Sequence, residues 1–461
     1  VDRFPMGKYP SKFSPTLMQQ IAINIAISEN DRKEKIFSVN GPPGTGKTTL
    51  LKEIIASNVV QLAEVLIKYG ISGSNFVPRK VESTSNARYT EKYYEIPEEI
   101  SKYGILVVSN NNGAVENITL DLPKSGDMEK NKTRTDYFDR KINKEVYFSA
   151  VADNLLGKEG GAWGLISARM GRKSYVTEVL ESCVFAKKND ASDKVTLDLA
   201  REDSISWDEA IDKFNVAKRK VLLLREGIKK DQKLLDDFYK EGEGLAKSKL
   251  DLKQLLIEKE QLNIKLNDVR TELESNEQET LEQEGEIKYI KEHSSIFKKL
   301  LILLGIGKIG RHVAEKQKYV DELIINHEDI KRRYSLAVRN TEEVCGKIEN
   351  QYSIISTLEK KVQILEEKVY GNNESLKNKY KNNFADRNFY EAIKESENSQ
   401  NACPWTFDEY DMAREELFFA SLQVRKAFIL ESPYIKRNLF VYEAYNNGKY
   451  TMEEKKGDVS A

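Results

Sequence analysis

Eight residues, Gly41-Pro42-Pro43-Gly44-Thr45-Gly46-Lys47-Thr48, constrain this chain more than anything else in it. The pattern is that of a phosphate-binding P-loop, which requires a strand before it and a helix after it. Ile36 to Val39 predicts a short buried strand, and Thr49 to Ala56 opens an apolar-periodic helix. Glycines let backbone N–H groups close around phosphate oxygens, and a helix N-terminus adds positive potential. Lys47 is placed to reach the β- and γ-phosphates, and the Thr48 hydroxyl to bind Mg²⁺. The eight residues with Thr49 form the candidate nucleotide-binding set, and Lys47 and Thr48 are the candidate catalytic pair. The motif implies a nucleoside triphosphate.

Length and charge narrow the class without fixing the task. At 461 residues the chain is long enough for two or three domains. With 73 basic and 74 acidic residues the net charge is −1, so any nucleic-acid contact must come from a local surface. Cys183, Cys345 and Cys403 are far apart, as are His293, His312 and His327, which predicts neither a zinc site nor a disulfide framework. The longest apolar run, Leu300 to Leu304, is too short to span a bilayer, and no signal peptide is visible. The expectation is a cytoplasmic protein without a membrane partner.

The pattern divides the chain in three. Residues 1–207 mix short apolar runs (Ile36 to Val39, Ile105 to Val108, Val146 to Phe148) with helical stretches, an α/β signature. Residues 71 to 103 are polar without a clear period and predict a surface insertion. Residues 208–372 contain no proline and carry heptads. The returning half reads Leu323, Ile330, Tyr334, Ala337, Val344, Ile348, Ile355, Leu358, Val362, Leu365, Val369. The outgoing half reads Leu252, Leu255, Leu262, Leu266, Val269, Leu273, then a polar gap before Ile287 and Ile290. Between them the glycine-bearing stretch at about 292–312 predicts the tip of an antiparallel coiled-coil hairpin, each arm roughly 80 Å long. Its apolar residues, set among Lys298, Lys299, Lys308 and Arg311, predict a partner-protein or self-association site, with a self-packed knot of helices as the alternative. Residues 373–461 return to shorter helices, including an amphipathic stretch from Asp408 to Leu430.

Two flanking segments complete the reading. Upstream is Ser14-Pro15-Thr16-Leu17-Met18-Gln19-Gln20-Ile21-Ala22-Ile23, and downstream Ile105 to Val108 leads into Ser109-Asn110-Asn111-Asn112-Gly113-Ala114-Val115. With the loop they resemble superfamily 1 helicases, in particular the branch containing the nonsense-mediated-decay helicase. That branch has a glutamine motif, a GPPGTGKT loop, and a motif Ia strand ending in Ser-Asn. Trp163 to Ala168 and Leu417 to Ile429 also look like segments of bacterial long-insert members. The resemblance implies a RecA-like first motor domain, an α/β fold with an incomplete parallel sheet, into which the hairpin is inserted. It also implies ATP and Mg²⁺ as cofactors, Gln19 reading adenine, and Ser109, Asn110, Asn111 and Asn112 touching single-stranded RNA or DNA. Gln20 is the alternative to Gln19, and a plain helix N-cap cluster the alternative for the asparagines.

The acidic pair that helicase catalysis needs at a strand end is not found. Asp208-Glu209-Ala210 reads as the first turn of the hairpin helix, where acids favour the dipole. The chain therefore reads as an N-terminal fragment. An oligomeric AAA-type ATPase and a chromosome-organising coiled-coil ATPase are the alternative classes. The first places its acidic pair on the strand after the loop, where this chain has Ser109-Asn110. The second usually has other residues at Pro43 and Thr45.

Overall fold

The computed structural model describes residues 4–11, 14–27, 38–41, 46–72, 76–83, 90–108, 112–124, 147–156, 161–181, 205–446 and 450–452. They separate into two compact units, one of residues 1–232 with 376–461 and one of residues 233–375. Among them no helix is long and apolar enough to cross a membrane.

The first unit is built on helix packing. The P-loop helix, Lys47–Tyr69, buries Ile55, Ala56, Val59, Val60, Leu62, Ala63 and Leu66. This three-to-four spacing makes one broad apolar face, and helix Asp408–Glu431 lies against it. The joint core gathers Tyr9, Ile55, Val59, Trp163, Phe418, Phe419 and Leu422. Edge-to-face rings of Trp163 with Phe418 and Phe419, at 6.0 and 5.8 Å, fill its centre. The N-terminal segment crosses the same helix at Gly7, where a Cβ would clash with the Val60 side chain and the Ala56 carbonyl.

The expected parallel sheet is not there among the described residues. Among the described residues the strands form one antiparallel sheet in the order β2-β1-β3, with β1 Val77–Ser83, β2 Thr90–Glu95 and β3 Tyr450–Met452. The β1–β2 hairpin, Val77 facing Glu95 through Glu82 facing Thr90, occupies the segment expected to be an aperiodic insertion. It is pinned by Asn438, whose amide bonds both the N–H and the carbonyl of Tyr94 at 2.7 and 2.6 Å. Ile105 to Val108 forms no strand, and Leu106 is 83 % exposed. Most of the Ile36 to Val39 run lies outside the described residues, and the parallel pairing seen is an isolated bridge between Tyr147 and Gly164. Parallel strands need both faces covered. Here the apolar face of the P-loop helix is already covered by helix Asp408–Glu431, so the RecA-like α/β expectation is replaced by a mostly helical unit.

The second unit contains the outer part of helix Trp207–Glu292, a short tip helix Ile296–Leu304, and the returning helix Gly307–Tyr370. Cross-arm partners move in opposite directions along the chain, which fixes the arms as antiparallel. Tyr239 meets Tyr370, Lys361 meets Glu241, Gln351 meets the Ser248 carbonyl, Arg333 meets Glu272 through two bonds, and Tyr319 meets Glu279. Val320, Leu323, Ile330, Val344, Ile348, Ile355 and Val369 are buried along the seam. The boundary of this unit at Lys233 lies inside the long helix rather than at its start, because the helix's first turns belong to the other core through Trp207, Phe214 and Val221.

Phe418→Ala should lower stability by about 3–5 kcal/mol, whereas Leu106→Ala should change it by less than about 0.5 kcal/mol. Thermal or denaturant unfolding checks both. A large loss at Leu106 would restore a buried strand there.

Candidate nucleotide site

Lys47 Nζ donates to the Gly41 carbonyl at 2.7 Å, while Gly46 stands at φ 73° immediately before the helix. Only glycine takes that conformation without strain. The Gly46 carbonyl accepts the first helical bond, from Leu50 N at 3.2 Å. Thr48 is exposed in the first turn and Thr49 is half-buried behind it. Pro42, Pro43, Gly44 and Thr45 lie outside the described residues.

Gln19 is brought to this loop. It occupies the third position of helix Leu17–Ile27, after Thr16, and its Oε1 accepts from Thr16 N at 3.0 Å. That bond is half of a capping box, and it aims the amide Nε2 at Gly46, where a Cβ would collide with it. Gln20 points the other way. It is buried, donates to Asn24 Oδ1 at 2.7 Å and lies 3.7 Å from the Cys403 thiol. Burial pushes that thiol up to about 12, so it stays protonated.

Ser109, Asn110 and Asn111 lie outside the described residues. Asn112 opens helix Asn112–Asp121, whose Ile118 packs on the same core as Leu51 of the P-loop helix. Asp208 and Glu209 stand exposed in the first turn of the hairpin helix. Among the described residues no cluster of three or more His, Cys, Asp or Glu could hold a metal ion.

Sequence reasoning missed a buried charge cluster that fixes the P-loop helix. Arg414 donates to the Pro5 carbonyl and to the Gly7 carbonyl, each at 3.1 Å, and faces Glu53 and Asp411 at 3.4 Å. Lys8 pairs with Glu415 at 2.7 Å, and Lys8 N donates to the Arg414 carbonyl at 3.2 Å. Three carboxyl groups thus share two cations in a water-poor core, and Glu53 is the one driven toward its neutral form. Burial pushes its carboxyl from 4.5 up to about 7, against the pull of Arg414 and Lys8. Burial acts to lower the Arg414 pKa, but Glu53, Tyr410 and Asp411 outweigh it, and the guanidinium keeps its charge. A signal existed in Asp411, Arg414 and Glu415, which interrupt the apolar side of an amphipathic helix. Nothing local marks them as buried.

None of the protein-family models, curated proteins or solved structures compared with the chain matches it.

A carboxyl whose pKa rises on folding favours the folded state most at low pH. The Glu53 contribution is therefore full below pH 4.5 and lost as pH rises through about 7. The span corresponds to a difference on the order of 3 kcal/mol. Glu53→Gln should flatten stability between those limits and unfold at higher denaturant than the parent above pH 8. An unchanged pH profile would place the proton elsewhere.

Proposed function

We propose that this chain is the ATP-binding part of a nucleic-acid helicase or translocase of the superfamily 1 type. The observation that carries the reading is the contact of Gln19 with Gly46. It sets a donor–acceptor amide beside Gly46, at the N-terminus of the helix that bears Lys47 and Thr48. The reading rests on these groups and not on a sheet.

The division of labour follows from the side chains. Backbone N–H groups of the loop and of Lys47, Thr48 and Thr49 bind phosphate oxygens. Lys47 exchanges the Gly41 carbonyl for the β- and γ-phosphates, a trade of a neutral acceptor for an anionic one. Gln19 selects adenine by pairing both amide atoms with its edge. Mg²⁺ would be held by the exposed Thr48 hydroxyl, a hard oxygen that suits it, and it supplies neutralisation of phosphate charge. Ser109, Asn110, Asn111 and Asn112 contact a single strand through its backbone, without sequence readout.

Lys47→Ala should remove ATP binding measured by calorimetry. Gln19→Ala should keep phosphate binding and cut the preference for ATP over GTP by about tenfold. An unaltered preference would remove Gln19 from the base site. Asn110→Ala with Asn111→Ala should weaken oligonucleotide binding, which should be strongly salt-dependent, and leave ATP affinity alone. Equal oligonucleotide retention by the double variant would end the motif Ia assignment.

A further inference from the structure

The distal end of the hairpin exposes an apolar face beside a charged collar, and this is independent of the nucleotide reading. On the tip helix, Ile302 packs inward with Ile287, Val313 and Val320, while Ile296, Phe297, Leu300, Leu303 and Leu304 are all exposed, Leu303 by 82 %. At 3.6 residues per turn these five cover an arc of about 120°. The surrounding residues 293–312 carry four cations, Lys298, Lys299, Lys308 and Arg311, and no acid.

Immediately behind the tip lies a collar of opposite character. Residues 271–287 hold seven glutamates and no Lys, Arg or Asp. Their inner positions continue the seam with polar groups: Asn276 is buried with its Oδ1 unsatisfied, and Gln283 Oε1 accepts from Lys316 at 2.8 Å. Outward, the collar exposes Leu281 by 68 % and, on the facing arm, Ile325 by 73 %. The collar thus keeps polar groups in part of its seam and exposes apolar side chains among its glutamates, and exposed apolar groups at such a site mark a contact surface.

The two zones complement each other in charge and in apolar surface, and they sit within about 30 Å on one hairpin. They cannot meet within one chain, because the tip helix's free face points away from its own arms. Two tips meeting head-on would oppose like charges. We propose that the distal end is a self-association site for a second copy of this chain. The tip of each hairpin lies on the acidic collar of the other, an isologous antiparallel overlap.

Sedimentation velocity of the full chain over the micromolar range tests this. The parent should pass from monomer to dimer as concentration rises, and added salt should weaken the dimer. Lys298→Glu, Lys299→Glu and Lys308→Glu together, or Glu282→Lys with Glu284→Lys, should each weaken self-association by about tenfold or more. Mixing the two variants should restore a heterodimer, since tip and collar are then complementary in both directions. All these residues are exposed, and circular dichroism should show unchanged helix content. A parent that stays monomeric overturns the proposal, as does a mixture no more associated than its components. Monomer that cosediments with anionic lipid vesicles would overturn it in favour of a membrane surface.

Discussion

The Arg414 guanidinium is the joint on which the first unit depends. It lies fully buried between three stretches remote in sequence: the N-terminal segment at Pro5 and Gly7, the P-loop helix at Glu53, and its own helix at Asp411. A buried guanidinium must have its donors met and its charge balanced. Each of those requirements fixes a backbone position. Glu53 lies on the P-loop helix beyond Gly46 and Lys47, so that helix cannot slide without breaking the Glu53–Arg414 hydrogen bond. The aromatic core of Trp163, Phe418 and Phe419 packs on the same pair of helices, with Ile55 and Val59.

The same joint explains why a helical unit forms where a sheet was expected. A P-loop helix has one apolar face, and in an α/β fold a sheet covers it. Here the helix carrying Arg414, Phe418 and Leu422 takes that place, and charge pairing sets its register. Ile105 to Val108 is left with Leu106 in solvent. What the described residues keep of the motif is a helix N-terminus, a left-handed glycine and a lysine, the groups that the proposed phosphate binding asks for.

What could be read in the sequence were features whose signal is local. The loop is eight contiguous residues, and the hairpin's heptads recur along the chain, so both arms and most inward positions, from Leu323 to Val369, were legible. The polar gap concealed that the seam runs on through Asn276 and Gln283, which a purely apolar pattern does not register. The β1–β2 hairpin was invisible because its strands are largely exposed and polar, with Val81 as a buried position. The buried cluster went unread for another reason. Lys8 and Glu415 are separated by 407 residues, and each looks like an ordinary surface charge until the fold joins them.

The most direct test is hydrogen–deuterium exchange of the full chain, free and saturated with ATP and Mg²⁺. A nucleotide seated on the loop should slow exchange at residues 41–50, where the first N–H groups of the helix have no intrahelical acceptor, and leave residues 233–375 unchanged. Unchanged exchange at 41–50 under saturating nucleotide would contradict the account.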